Sequence, residues 1–358
     1  MPPAFAVRTA MALRALFLRL ADRMLPANIA AAEHAHQLVK AHILATLAEL
    51  GIADALGDER RSAADLAART GCDPDALHRL LRAAATFGAV RMDASGGVRA
   101  TRLTRALHRD DPRGMGPWCQ FLSSTAHLRA WSDLTTAVRT GESAFRRANA
   151  MPLFSWLAEH AEEGRHFSHG LAALTLADAP FIVAGLDLPQ SGVVCDIAGG
   201  RGALLAEVLL ARPALRGVLV ESPGVLADAE IYLRDRGVLD RVELVNADIF
   251  EPLEVKADLY LLKFVLHDWD DATCTRLLTT IASGMPAGAR LAVIEGVQDA
   301  NTPDPRVSTI DLVMLALTEG GRERSVGQIH ELLGAATLTQ ISTAPTAVGL
   351  TLFSAHAA

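Results

Sequence analysis

Lysine is scarce in this chain. Lys40, Lys256 and Lys263 are the only three among 34 basic residues, so a lysine inside a motif stands out against arginine. Cysteine is scarce too: Cys72, Cys119, Cys195 and Cys274 form no Cys-x-x-Cys pair, which argues against a zinc ribbon or a disulfide framework and predicts a reducing, cytoplasmic setting. No Gly-Lys-Ser/Thr is present, so there is no P-loop; the glycines at 199–202 do not complete Gly-x-Gly-x-x-Gly, so the dinucleotide fingerprint is missing. Arg8, Arg14, Arg19 and Arg23 interrupt the apolar stretch from Phe5 to Met24, which predicts neither a signal peptide nor a membrane span. The expectation there is an amphipathic helix that packs on a partner subunit. Dense basic runs are absent and the net charge is -7, which speaks against a protein that coats nucleic acid.

What is present divides by texture. The chain has 358 residues, 50% hydrophobic and 21% charged, enough for two cores. Helical apolar spacing runs from Ala41 to Leu50 and stops at Gly51; Ser62 caps a short helix and Asp73-Pro74 starts another through Leu77, Leu80, Leu81 and Ala84. Gly88–Met92 and Val98–Thr101 flank Asp93-Ala94-Ser95-Gly96-Gly97, a hairpin signal, and helices followed by a hairpin make a winged helix. Such modules often bind DNA. Residues 1–110 carry 15 Lys/Arg against 11 Asp/Glu, a net of +4 without clustering, which fits subunit pairing better than phosphate tracking. Residues 112–180 read as all-helical and supply Trp118, Phe121, Trp131, Phe145, Phe154, Trp156 and Phe167, mostly core, some able to line a pocket for a flat ligand. His160, His166 and His169 have no fixed ligand spacing and read as solvated.

From about residue 190, strands alternate with helices, which predicts an α/β fold with a doubly wound sheet. Its most informative strand runs from Ala257 to Leu266 and ends in His267-Asp268-Trp269-Asp270. Ligands bind at the carboxyl ends of such strands, so His267 there is a candidate general base; Asp270 reads as a helix cap. The first strand of this region ends in Asp196-Ile197-Ala198-Gly199-Gly200-Arg201-Gly202, a turn that lets backbone approach a ligand. Asp196 at that turn, Glu221 at the end of the next strand and Asp248 after the third suit a ligand with a cationic head, a ribose and an adenine. S-adenosylmethionine has all three.

These residues, with Glu49–Leu56, Leu262–Trp269 and Gly320–Ser325, make the chain resemble the class I S-adenosylmethionine-dependent O-methyltransferases, specifically the plant and actinobacterial small-molecule family with a winged-helix dimerisation domain. The resemblance implies a Rossmann-like catalytic domain at 181–358, a helical linker contributing to the substrate pocket at 111–180, and a dimerisation domain at 1–110 that makes a homodimer. It implies that the backbone of Ala198, Gly199 and Gly200 cradles the methionine part of the cofactor. Glu221 would hold the ribose, Asp248 and Ile249 would flank the adenine with Phe264 and Trp269 nearby, and Lys263 would contact the cofactor. It makes His267 the base, positioned by Glu295 or Glu323, and places Trp131, Phe154, Leu171, Met314 and Asp268 near the acceptor, with no metal. Ala198 replaces a usual glycine, acceptable if its dihedrals are ordinary; Leu171 stands where many relatives carry methionine; Glu221 replaces the commoner aspartate.

The activity expected is O-methylation of an aromatic or polycyclic small molecule, with S-adenosylhomocysteine as product and neither nucleic acid nor membrane as partner. Two alternatives stay open: the same fold performing hydroxylation, decarboxylation or ring formation, and a winged-helix ligand-sensing regulator.

Overall fold

The computed structural model describes residues 4–298 and 304–357, apart from the side chains of residues 4, 5 and 8. The expectations for Phe5 and Arg8 therefore lie outside the described residues. Contacts divide the chain into two compact units, one of residues 11–128 with 162–174, the other of residues 1–10, 129–161 and 175–358.

In the first unit, helices Gln37–Glu49, Ile52–Leu56, Ala63–Thr70 and Pro74–Ala85 surround a core of Leu47, Ile52, Leu56, Leu66, Leu77 and Leu81, each no more than 2% exposed. Burying each such side chain contributes about 1.5–3 kcal/mol. The local signals behave as their chemistry requires. Ser62 Oγ accepts from Asp65 N at 3.0 Å and Asp73 Oδ1 from Ala76 N at 2.8 Å, each satisfying a free N–H at a helix start. Leu77, Leu81 and Ala84 face inward at helical spacing, while Arg79 and Arg82 face solvent. The hairpin is present but has a third strand that two residues do not reveal in sequence: β1 (Arg61–Ser62), β2 (Val90–Met92) and β3 (Gly97–Ala100) pair in the order β1-β3-β2. Asp93 closes the hairpin turn, Oδ1 accepting from Ser95 N and Gly97 N at 3.0 and 2.9 Å.

The second unit is built on β4 (Gly192–Ile197), β5 (Leu215–Glu221), β6 (Val242–Asn246), β7 (Leu259–Lys263), β8 (Arg290–Glu295), β9 (Thr339–Pro345) and β10 (Thr351–His356). Their order is β6-β5-β4-β7-β8-β10-β9; β4 to β8 are parallel, and β10 runs antiparallel to both β8 and β9. The chain leaves β4 for β5 on one side and later returns to β7 on the other, so strand order reverses at β4 and a crevice opens at the carboxyl ends of β4 and β7. Cys195, Ile197, Val220, Leu262, Leu291, Val293 and Phe353 are buried in its core, which is why these strands read as continuous apolar runs. All four cysteines are free.

Two sequence expectations change. The helix Ala161–Gly185 is long and apolar enough to cross a membrane by length and composition, against the expectation of no such run. Ala172, Ala173, Leu176, Ala179 and Ile182 are buried within the protein, which accounts for that apolarity. The helix Pro305–Leu317 was not legible, because its apolar residues lie on more than one face.

Candidate active site

Two loops leave the crevice side by side, one after β4 and one after β7. The first begins at Ala198, whose N–H donates to Val220 O at 2.9 Å. Its φ is +51°, so the expected ordinary dihedrals are corrected: a left-handed turn is needed here, and alanine adopts it at a cost of about 1–2 kcal/mol. The next residue has no such freedom, since a Cβ on Gly199 would stand 2.5 Å from Asp196 Cγ. Asp196 lies inside β4, paired with Leu219 and Leu261, and is 1% exposed. Burial drives its carboxyl up to about 7, and its Oδ2 has no hydrogen-bond partner.

Glu221 ends β5. Its Oε1 accepts from Gly200 N at 3.1 Å and its Oε2 from Ser222 N at 2.8 Å, so it braces the glycine turn while keeping free lone pairs. Burial raises its pKa as well. Neither acid has an ion pair among the described residues; the nearest positive charge acting on Asp196 is the buried Lys263, so both carboxyls keep lone pairs for a ligand. That is the complement of a cationic nucleoside, and the residues fit S-adenosylmethionine. Asp248 is exposed beyond β6 and accepts from Phe250 N at 2.9 Å; Ile249, Phe250 and Trp269, like Ala198, pack against the sheet core. Trp269 meets Phe250 edge-on at 5.0 Å and stacks on Phe154 at 5.7 Å.

The second loop turns sharply at Phe264 (φ +53°) and forms a 3-10 turn, Leu266–Asp268, that presents His267. His267 Nδ1 lies 2.9 Å from Glu323 Oε1 and 4.0 Å from Glu295 Oε2, and Nε2 lies 3.7 Å from Asp268 Oδ1. The two glutamates therefore do different things. Glu323 bonds the ring, whereas Glu295 Oε1 accepts the backbone N–H groups of Val265 and Leu266 at 3.1 and 2.9 Å. Burial alone lowers the pKa of His267; Asp268, Glu295 and Glu323 outweigh it and push it up to about 9. Burial raises Glu295 to about 7 and Asp268 to about 6, and lowers Lys263 to about 8.

Residues to which the sequence assigned no individual role hold this turn. Arg324, 2% exposed, donates from Nη1 to Leu266 O and from Nη2 to Trp269 O, both at 2.6 Å, and from Nε to Asp271 Oδ1 at 2.8 Å. Arg322 N donates to His267 O at 2.8 Å, and Asp311 Oδ1 accepts from Glu323 N at 2.8 Å. A Cβ on Gly321 would stand 2.6 Å from His267 O, so this segment approaches as closely as backbone can. Asp270 caps the following helix through Thr273 N at 2.7 Å, as expected.

Of the expected acceptor-side residues, Phe154 is partly exposed beside Trp269, Met314 is buried on the helix that carries Asp311, and Trp131 is half-buried in the same unit. Leu171, partly exposed, belongs to the other unit. His267, Glu295 and Glu323 also offer three donor atoms within 4.8 Å of one another, the spacing of a cation site as well as of a base with its carboxylates.

Residues 131–339 match the O-methyltransferase domain family and residues 32–110 the O-methyltransferase dimerisation domain. A mitomycin biosynthesis 6-O-methyltransferase of Streptomyces lavendulae is 37% identical over 297 residues, 82% of this chain and 84% of that protein. An 8-amino-8-demethylriboflavin N,N-dimethyltransferase of Streptomyces davaonensis is also 37% identical, over 83% of this chain and 86% of its own length. Among solved structures, an O-methyltransferase of neocarzinostatin biosynthesis, in complex with S-adenosylmethionine and 2-hydroxy-5-methyl naphthoic acid, is 28% identical with a TM-score of 0.72, covering 89% of this chain and 96% of that one.

Proposed function

The chain belongs to the S-adenosylmethionine-dependent O-methyltransferases, and on that premise we propose that it methylates a hydroxyl of an aromatic or polycyclic secondary metabolite with His267 as the base. The observation that carries this reading is the His267–Glu323 pair at 2.9 Å, set beside the glycine turn in one crevice.

The cofactor supplies, when bound, an electrophilic methyl group. The backbone of Ala198, Gly199 and Gly200 would hold its methionine part, with Asp196 at the same turn. Glu221, which braces that turn, would take the ribose hydroxyls, Asp248 and Ile249 would flank the adenine with Phe264 and Trp269, and Lys263 would contact it. A phenol, pKa about 10, is a poor nucleophile near neutral pH until a base takes its proton. His267 receives that proton on Nε2, and Glu323 on Nδ1 fixes the tautomer and stabilises the imidazolium. A positive charge in the crevice opposes the imidazolium and brings His267 down from about 9 toward working pH. Holding the acceptor oxygen about 3 Å from the reacting carbon supplies much of the remaining acceleration. Trp131, Phe154, Met314 and Asp268 are the proposed walls of the acceptor site.

The same reading divides the chain into a dimerisation domain (1–110), a helical linker (111–180) and a catalytic domain (181–358), in a cytoplasmic homodimer that acts without a metal, nucleic acid or membrane. Exposed Leu13, Leu16, Phe17 and Leu20 on one helix favour a partner subunit. The test is incubation with labelled S-adenosylmethionine and a panel of phenols, polyketides and, given the N,N-dimethyltransferase relative, arylamines. S-adenosylhomocysteine with a methylated phenol supports the reading. A product that is hydroxylated, decarboxylated or cyclised overturns it.

A further inference from the structure

Phe264 is the oddest residue of the site. It is a bulky aromatic at φ +53°, in backbone space that such side chains avoid unless the surroundings impose it. Its N–H is pinned to Ile294 O at 3.0 Å, and the next two N–H groups are taken by Glu295. With the backbone so held, the ring stacks on the imidazole of His267, centroids 5.2 Å apart and planes within 15°. The same ring lies under the ammonium of Lys263, whose Nζ is 4.1 Å from its centroid and 3.2 Å from Thr175 Oγ1. Among the described residues, Phe264 is the aromatic ring stacked on His267.

We propose that Phe264 is a positioning residue for proton transfer, its ring fixing the plane of the His267 imidazole and stabilising the positive charge that the imidazole acquires. The inference rests on reading His267 as the base. An aromatic face is negative in its quadrupole and attracts a cation more than a neutral ring. The acids around His267 act at its edge: Glu323 from the clamping segment, Glu295 from β8, Asp268 from its own turn. Lys263 at the end of β7 opposes them. Arg324, paired with Asp271, holds the carbonyls of the turn, and Asp311 stands behind Glu323. Phe264 is the neutral contribution, applied to the flat of the imidazole.

The experiment compares Phe264→Leu, Phe264→Tyr and Phe264→Gly. Histidine labelled with carbon-13 at Cε1 gives the titration midpoint of His267 in cofactor-free protein, assigned with His267→Asn, and the pH profile of kcat/KM is measured alongside. Leucine keeps the bulk and loses the π-face: the midpoint falls by about half to one pH unit, and the acidic limb of kcat/KM falls with it. Tyrosine restores both. Glycine relieves the left-handed backbone, so the same fall with an undiminished melting temperature assigns the effect to the ring. A midpoint that stays or rises in both the leucine and glycine variants overturns the inference. The two readings fail separately: His267→Asn that still turns over defeats the base, while an inactive His267→Asn with an unmoved Phe264→Leu midpoint defeats only the ring.

Discussion

Replacing Glu323 with glutamine isolates what the carboxylate does for His267. Glutamine keeps an oxygen able to accept from Nδ1–H, so the tautomer survives, but it removes the negative charge 2.9 Å from the ring. A hydrogen bond to a charged partner contributes about 1.5–3 kcal/mol, and one pH unit corresponds to about 1.4 kcal/mol, so the imidazolium becomes easier to deprotonate by roughly 1–2 pH units. The sign follows from the role. A base works when unprotonated, so kcat/KM rises with pH through the pKa of His267 in the cofactor-bound enzyme, below the value of about 9 that the surrounding acids set in the cofactor's absence. In Glu323→Gln that acidic limb moves to lower pH. The plateau rate falls roughly tenfold or more, because the imidazolium formed in the transition state has lost its partner. The assay is initial rate against pH with limiting acceptor and saturating cofactor. A limb that stays in place or moves to higher pH refutes the assignment of Glu323 to His267.

His267→Ala should abolish turnover while calorimetry still detects cofactor binding; full activity with the true acceptor removes His267 from the mechanism. Ala198→Gly should raise stability by about 0.5–1 kcal/mol, since glycine accepts φ +51° without strain, and an unchanged or lower denaturation midpoint contradicts this. Asp196, at about 7 folded against an ordinary carboxyl value of 3.8, keeps a proton on folding that it loses when unfolded, so its contribution to stability falls as pH rises from about 4 to 7, by on the order of 4 kcal/mol. Denaturant titrations of cofactor-free Asp196→Asn should therefore gain on wild type at pH 8 and not at pH 4; a constant offset defeats the account. Turnover should survive exhaustive chelation, and activity lost to chelator and restored by zinc would reassign the His267, Glu295 and Glu323 trio.

Sequence patterns revealed this fold wherever one local rule sufficed. Apolar strands that lead into Asp196, Glu221, His267 and Glu295 stand out because a buried run that meets a titratable residue marks a strand's functional end. Those residues are where the crevice lies. Arg324 lies in the Gly320–Ser325 motif, but its role was hidden: it is one of 31 arginines (34 basic residues less three lysines), and its meaning depends on two carbonyls from a turn more than fifty residues earlier. The division of labour between Glu295 and Glu323 was equally hidden, since only three-dimensional placement tells an acceptor of backbone N–H groups from an acceptor of the imidazole. Ala198 misled for a different reason. Alanine normally reports ordinary dihedrals, and here tertiary constraint overrides that preference.

β10 enters the sheet between β8 and β9 although it follows both along the chain, and its Thr351 pairs with Glu295. On a ribosome, β8 remains an open edge until residues 351–356 emerge, and the flank of the acid that braces the base waits on them. Pairing over so long a sequence separation is slow, and an open apolar edge invites association with other chains. A nascent chain stalled before residue 351 carries the whole cofactor turn and the whole base turn, yet has no partner for β8. The β8 edge is therefore the association-prone face of the unfinished sheet.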